Sequence, residues 1–195
     1  MPENMQDIRL VKRRLRQECL LYRERLDPAE KARLENKIAN KVFNLWSFRE
    51  SGLILSYVAK PLEVDTRPII LGAFERGKNV AVPRCIPGTL QIEFLLITSL
   101  DDLRPGAYGI AEPDPDRCRP LPDAQRSICI VPALAFDAEG YRLGFGKGYF
   151  DRFLSAYKGV KAGICFDACV LDKLPRGKYD KQVDFLLTES RMLRY

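Results

Sequence analysis

The sequence predicts an α/β fold: a three-layer α/β/α sandwich around a largely parallel sheet, formed as one domain over residues 1–195. Three observations carry this expectation. Apolar positions in the first forty-six residues recur at steps of three and four. After Gly52 that period gives way to short continuous apolar runs of strand length. Those runs then alternate with segments of helical spacing, the pattern of strands buried on both faces by covering helices.

Taken in order, Ile8, Val11, Leu15, Cys19, Tyr22 and Leu26 form the apolar stripe of a first helix. The stretch "DPAE" starts a second, with Asp27 as cap, Pro28 in the first turn and Glu30 reaching back. Its stripe is Leu34, Ile38, Val42 and Leu45. "LILSYV" (53–58) reads as a buried strand, and Asp65 or Thr66 caps a helix that runs to about Arg76 and stops at Gly77. "NVAVP" (79–83) and "QIEFLLI" (91–97) are further strands, followed by a short helix or turn at "TSLDDLRPG". Prolines at 105, 113, 115, 120 and 122 mark residues 105–126 as loop. "SICIVPALAFD" (127–137) reads as one core strand, "AEGYRLGFGKG" as a turn region and "YFDRFLSAY" (149–157) as a helix. "VKAGICF" (160–166) and "DFLLTE" (184–189) complete the strands.

Composition narrows the chemistry. There is no histidine, which removes Ser-His-Asp and Cys-His nucleophile systems, histidine general bases and His-based zinc sites. The six cysteines form no C-x-x-C pair and read as buried free thiols of a reducing compartment. No apolar run approaches the roughly eighteen residues needed to cross a bilayer, and the N-terminus lacks the apolar core of a signal peptide, so a cytoplasmic protein is expected. The net charge of +6 suits an anionic ligand, a nucleic acid, or simply a basic surface.

The densest candidate is "RLGFGKGYFD", Arg142 to Asp151. It fails the P-loop pattern, because Tyr141 stands where the first glycine belongs and Gly148 where Ser or Thr should follow the lysine. It fails G-x-G-x-x-G as well, because the last position falls on Tyr149 or Asp151. Alternating Gly144, Gly146 and Gly148 still let a backbone approach a ligand closely, and the helix expected just beyond them favours an anion at its N-terminus. Lys147 and Arg142 add positive charge, and Asp151 is placed to hold magnesium or cap the helix. A hairpin turn leading into an ordinary helix start is the other reading of the same residues. Likewise "KRRLR" puts Lys12 and Arg16 on one helix face, either as part of an anion site or as a solvated face.

These motifs, with "EVDT", "VPRC", "EFLLI", "YGIAEP", "VPALAFDAEGYRLGFGKGYFDRFL" and "YDKQVDFLLTE" in that order, make the chain resemble the 5-formyltetrahydrofolate cyclo-ligases, also called methenyltetrahydrofolate synthetases. The long central motif is the specific one. The resemblance implies cyclisation of 5-formyltetrahydrofolate to 5,10-methenyltetrahydrofolate, with ATP and Mg2+ as cofactors and ADP and phosphate released. It implies phosphorylation of the formyl oxygen followed by attack of N10, chemistry that needs positioning and cations rather than histidine.

By position, the resemblance implies that Lys12 and Arg16 contact nucleotide phosphates, Arg16 also lying near the folate. It implies an ATP loop of Arg142, Leu143, Gly144, Phe145, Gly146, Lys147, Gly148, Tyr149 and Phe150. Lys147, with Arg142, is the catalytic choice, beside the transferring phosphate. Lys60, Glu63, Asp65 and Tyr149 fall where the family meets folate, and Asp151 and Asp180 where it holds magnesium. The aromatic wall for the pterin is left open among Tyr57, Tyr108 and Tyr149. Departures are Tyr179 where many relatives have His, Phe150 for a common Tyr, and Phe145 inside the loop. The implied partner is the small-molecule substrate alone, with no nucleic acid and no membrane, on a monomer or weak dimer. A non-catalytic nucleotide- or folate-binding protein on the same scaffold is the alternative, and its signature, loss of Lys147 or the acids, is missing.

Overall fold

The computed structural model describes residues 8–121, 123–124, 126–177 and 180–195. Pro122 of the expected loop and the Tyr179 departure lie outside them. The chain opens with α1 (Ile8–Glu24), α2 (Pro28–Asn44) and a short α3 (Trp46–Glu50), then β1 (Leu53–Leu55), α4 (Arg67–Glu75), β2 (Asn79–Cys85) and β3 (Ile92–Ile97). Short strands β4 (Leu103–Pro105), β5 (Ala111–Pro113) and β6 (Arg119–Pro120) follow, then β7 (Ser127–Pro132), β8 (Ala135–Asp137) and β9 (Arg142–Leu143). The chain ends with α5 (Tyr149–Ala156), β10 (Val160–Ile164), β11 (Val170–Leu171), β12 (Phe185–Leu187) and β13 (Met192–Arg194).

Eight strands form the main sheet in the order β13-β12-β10-β7-β1-β2-β3-β6. The five central strands are parallel, and antiparallel β13, β3 and β6 finish its edges. Every residue of β7 is buried, as a parallel strand covered on both faces requires. The order reverses in the middle. From β1 the chain crosses through α4 to β2 on one side, and from β7 through α5 to β10 on the other. Two right-handed crossovers in opposite directions put their helices on opposite faces, which gives the three layers. The reversal opens a crevice past the carboxyl ends of β1 and β7, where α/β sheets hold ligands.

Local chemistry explains most element boundaries. The Asp27 carboxylate accepts from the N–H groups of Ala29 (2.9 Å) and Glu30 (3.1 Å), capping α2 as expected. Glu30 does not reach back to the cap; it takes two 2.7 Å bonds from Arg33, one turn on. Asp65 accepts from the Arg67 N–H at 3.0 Å at the start of α4, while the Thr66 hydroxyl donates instead to the Tyr57 carbonyl at 2.6 Å.

Several boundary expectations change. "LILSYV" pairs as a strand only through Leu55, beyond which Ser56 keeps one bond to the Ala81 carbonyl. Residues 105–126 are not all loop, because β5 pairs with β4 and β6 with β3. "SICIVPALAFD" is two strands rather than one: after Pro132 the chain leaves the main sheet, and β8 joins β9 and β11 in a three-stranded sheet of its own. The edge strand β13 and helix α3 carried too little apolar signal to be read. The cysteines are all free and five are buried; Cys85 is only half-buried.

Arg23 fixes α1. It is 2% exposed, and its guanidinium donates to the carbonyls of Leu62 (3.0 Å), Ala133 (2.9 Å) and Leu134 (2.7 Å) beside the Phe166 ring. Those carbonyls belong to the loops leaving β1 and β7. Arg23→Met is expected to destabilise the chain by about 3 kcal/mol or more, because two buried carbonyls and the half-buried Leu62 carbonyl lose a charged donor. A urea-unfolding midpoint within error of the parent would overturn this reading.

Candidate active site

The crevice is a cleft of about 450 Å³, a size suited to a nucleotide or comparable ligand. Its floor is the carboxyl-end region of the central strands, with Tyr57 and Val58 after β1, Pro83 to Cys85 in β2 and Pro132 in β7. One wall is the glycine segment between β9 and α5, from Leu143 to Gly148. Lys12 and Arg16 of α1 close one side, and Tyr108 of the β4–β5 connection another.

The glycine segment is fixed from outside itself. Arg16 donates through Nε to the Gly144 carbonyl at 2.8 Å. A Cβ on Gly146 would stand 3.4 Å from that guanidinium, and Gly146 sits at φ +99, which L side chains rarely adopt. Gly148 caps α5 with φ 75. At the base, Asp137 is fully buried and accepts from the N–H groups of Glu139, Tyr141 and Leu174 and from Arg176, which sets the turn feeding β9. Burial lowers the Arg16 pKa from its ordinary value, against the pull of Asp180.

The cations of the cleft are held in different ways. Lys12 Nζ lies 2.6 Å from Asp180. Arg142 is buried, donates to the Pro132 carbonyl at 3.0 Å and reaches Asp151 at 2.8 Å. Its terminal nitrogens are turned toward protein partners, Pro132 and Asp151, which sets Asp151 against the start of α5. Lys147 has no carboxylate partner among the described residues, and its ammonium lies 5.7 Å from the centre of the Tyr108 ring. Lys60 Nζ stands 5.5 Å from the Phe145 ring centre.

Nearly all the residues anticipated from sequence converge here: Lys12, Arg16, Lys60, Glu63, the run from Arg142 to Phe150, Asp151 and Asp180 all line the cleft. Asp65 does not. Its carboxylate is taken by Arg67 at 2.8 Å, and those bonds hold its pKa below the ordinary value although burial pushes the other way. Of the three aromatic candidates, Tyr57 is buried with its hydroxyl spent on the Val64 carbonyl at 2.7 Å. Tyr108 and Tyr149 bond each other at 3.2 Å, and that bond pushes Tyr149 up to about 12. Unanticipated lining residues include Arg84, Cys85, Ile92 and Glu112. Glu112 accepts from the Cys85 N–H at 3.1 Å, a contact between β5 and β2 that only the tertiary fold creates.

Among the described residues no cluster of three or more His, Cys, Asp or Glu forms a cage for a metal ion. Two carboxylates at a cation-lined cleft do fit magnesium of the kind that keeps its waters and shares phosphate oxygens with one or two acids. No helix among the described residues is long and apolar enough to cross a membrane.

Comparison with known proteins gives a consistent result. Residues 9–189 match the model of the 5-formyltetrahydrofolate cyclo-ligase family. The NMR structure of Aquifex aeolicus 5,10-methenyltetrahydrofolate synthetase superposes with a TM-score of 0.82 at 34% identity, covering 94% of this chain and 92% of that one. A 5,10-methenyltetrahydrofolate synthetase from Mycoplasma pneumoniae gives a TM-score of 0.69 at 25% identity, covering 91% and 98%. The 5-formyltetrahydrofolate cyclo-ligase of Escherichia coli K12 is 27% identical over 87% of this chain and 96% of its own.

Glu63 offers a check on the cleft's burial. It is 7% exposed and accepts from the Lys60 N–H at 2.9 Å, and desolvation raises its pKa above the ordinary carboxylate value. The raised value means that the neutral form favours the folded state below the unfolded pKa of about 4.3, and that this contribution is lost as pH rises through the folded value. Glu63→Gln is therefore expected to melt higher than the parent at pH 7, with the difference vanishing below about pH 4. Equal melting temperatures at pH 7 would show that the carboxylate is better solvated than the cleft implies.

Proposed function

Since the chain belongs to the 5-formyltetrahydrofolate cyclo-ligase family, we propose that it closes 5-formyltetrahydrofolate to 5,10-methenyltetrahydrofolate with ATP as co-substrate and magnesium as metal. The observation that carries this reading is the convergence, on one crevice at the reversal of the sheet, of Lys12 and Arg16 from the first helix with the glycine segment that bears Lys147.

The chemical difficulty lies in the formyl group, whose oxygen must become a leaving group. That oxygen attacks the terminal phosphorus of ATP and ADP departs. N10 of the same folate then attacks the formyl carbon, loses its proton, and expels phosphate. Both steps demand alignment and spread negative charge more than acid–base catalysis. Lys147 supplies an ammonium without a competing carboxylate and would meet the transferring phosphoryl group. Arg16 and Lys12 would meet the remaining phosphates, Lys12 exchanging Asp180 for them. Asp151 and Asp180 would hold the magnesium, which when bound would supply positive charge to offset that of the phosphates. Gly146, at φ +99 where L side chains are strained, would let the backbone approach the phosphates.

The folate would lie toward Tyr57, Lys60 and Glu63, with Glu63 a fixed, buried acceptor for a ring N–H. Tyr149 would border the same subsite. Six free cysteines suit the reducing cytoplasm, and a monomer or weak dimer is consistent with a cleft built within one chain.

Mixing the chain with 5-formyltetrahydrofolate, ATP and magnesium is expected to produce the methenyl absorbance, and none without ATP. Absence of that rise in the complete mixture, with nucleotide binding intact, would leave a non-catalytic binding protein. Lys147→Ala is expected to lower kcat by about 10²–10³ with the melting temperature unchanged; an unaltered rate would remove Lys147 from the reaction. Asp151→Asn is expected to raise the magnesium concentration for half-maximal rate, and an unchanged titration would confine Asp151 to its pairing with Arg142.

A further inference from the structure

Tyr108 adopts φ 58 and ψ 23, the single non-glycine residue with positive φ among those described. Such a conformation is unfavourable for a bulky side chain, and it persists only where surrounding structure imposes it. Burial of the ring does not account for it, because Tyr108 is 56% exposed. Tyr108 is at the tip of the β4–β5 hairpin, whose last pair is Pro105 with Ala111, and the Gly106 N–H bonds to the Ile110 carbonyl at 2.8 Å.

The strained conformation delivers the ring to one place. Its face lies under the Lys147 ammonium at 5.7 Å, and its hydroxyl meets that of Tyr149 at 3.2 Å. We propose that Tyr108 is a positioning residue for Lys147: the hairpin tip holds the lysine over an aromatic face and so orders it before the nucleotide arrives. This rests on the reading of Lys147 as the cation that meets the transferring phosphate.

The choice of an aromatic partner has a physical reason. A flexible lysine needs a partner to stay in one rotamer, and ordering it in advance lowers what binding must supply. A carboxylate would do this while neutralising the charge, as Asp180 does for Lys12 and Asp151 for Arg142. A ring attracts the ammonium without cancelling its charge and competes weakly with a phosphate. Tyr108 thus keeps Lys147 both placed and available. The Tyr108–Tyr149 bond then fixes the ring relative to the start of α5.

The test compares Tyr108→Phe, Tyr108→Asn and Tyr108→Gly in the full chain, alone and combined with Lys147→Ala. Asn and Gly accept positive φ but carry no aromatic face. Both are expected to melt at or above the parent temperature while kcat falls about tenfold, with KM for 5-formyltetrahydrofolate changed less than twofold. Phe is expected to retain kcat within about threefold. In the Lys147→Ala background none of the three should lower kcat further. Wild-type rates for Asn and Gly would overturn the proposal while leaving the assigned reaction intact. So would an equal loss in the Lys147→Ala background, which would mean that Tyr108 acts on substrate directly. A wild-type chain without turnover would instead sink the reading on which the proposal rests.

Discussion

One buried guanidinium underlies the arrangement of the cleft. Arg23 binds carbonyls from both loops that leave the centre of the sheet, Leu62 after β1 and Ala133 and Leu134 after β7. The reversal of strand order makes the crevice between those loops, and Arg23 keeps its two lips in register. It does so from α1, whose residues advance about 100° each. Lys12, Arg16, Cys19 and Arg23 therefore share one face of that helix. Docking Arg23 and Cys19 into the core carries Arg16 to the Gly144 carbonyl and Lys12 to Asp180. The helix is apolar where it packs and cationic where it reaches the cleft, so one docking event seals the core and supplies charge to the site.

The electrostatics of the cleft follow from burial and pairing together. A cation left unpaired in a low-dielectric cleft is costly, and one firmly paired is unavailable to an incoming anion. Lys12 and Arg142 accept the second cost through aspartates. Lys147 avoids both costs by standing exposed over a ring. Glu63 is the opposite case: an acid held in the cleft by a single backbone N–H and, among the described residues, by no ion pair, which explains why burial dominates its titration.

Legibility from sequence followed the range of the forces involved. The helices were readable because their stripes and the Asp27 cap are local, and the central strands because a strand buried on both faces is continuously apolar. The break at Ala133–Leu134 was invisible, because "SICIVPALAFD" is apolar on either side of it and the departure is imposed by Arg23 from 110 residues away. Short strands such as β5 and β6 exist only through pairing across the fold, β6 on the edge of β3 and β5 against the equally short β4. At the site, the glycine and basic motifs announced a candidate anion site, whereas Asp65 does not line the cleft: its position in "EVDT" does not reveal that Arg67, two residues on, pairs with its carboxylate. The role of Tyr108 is a backbone outlier plus a contact across the fold, and no sequence pattern encodes either.

The same contrast explains why the glycine segment matches neither known phosphate template. In those templates one contiguous motif supplies the tight turn, the close backbone and the lysine. Here the turn is set by Asp137 from beneath, the Gly144 carbonyl is held by Arg16 from another helix, and the lysine is steadied by an aromatic hairpin tip. Each job that a P-loop does locally is delegated to a different element. A loop of this kind holds its shape only in the folded chain, and its glycines are required by what approaches them rather than by the turn alone. Gly146 shows the two together: its positive φ favours glycine, and the Arg16 guanidinium packs at van der Waals distance over the same position. The site is therefore a property of the tertiary structure, and Lys12 and Arg16 reach it from the same helix face that Arg23 anchors in the core.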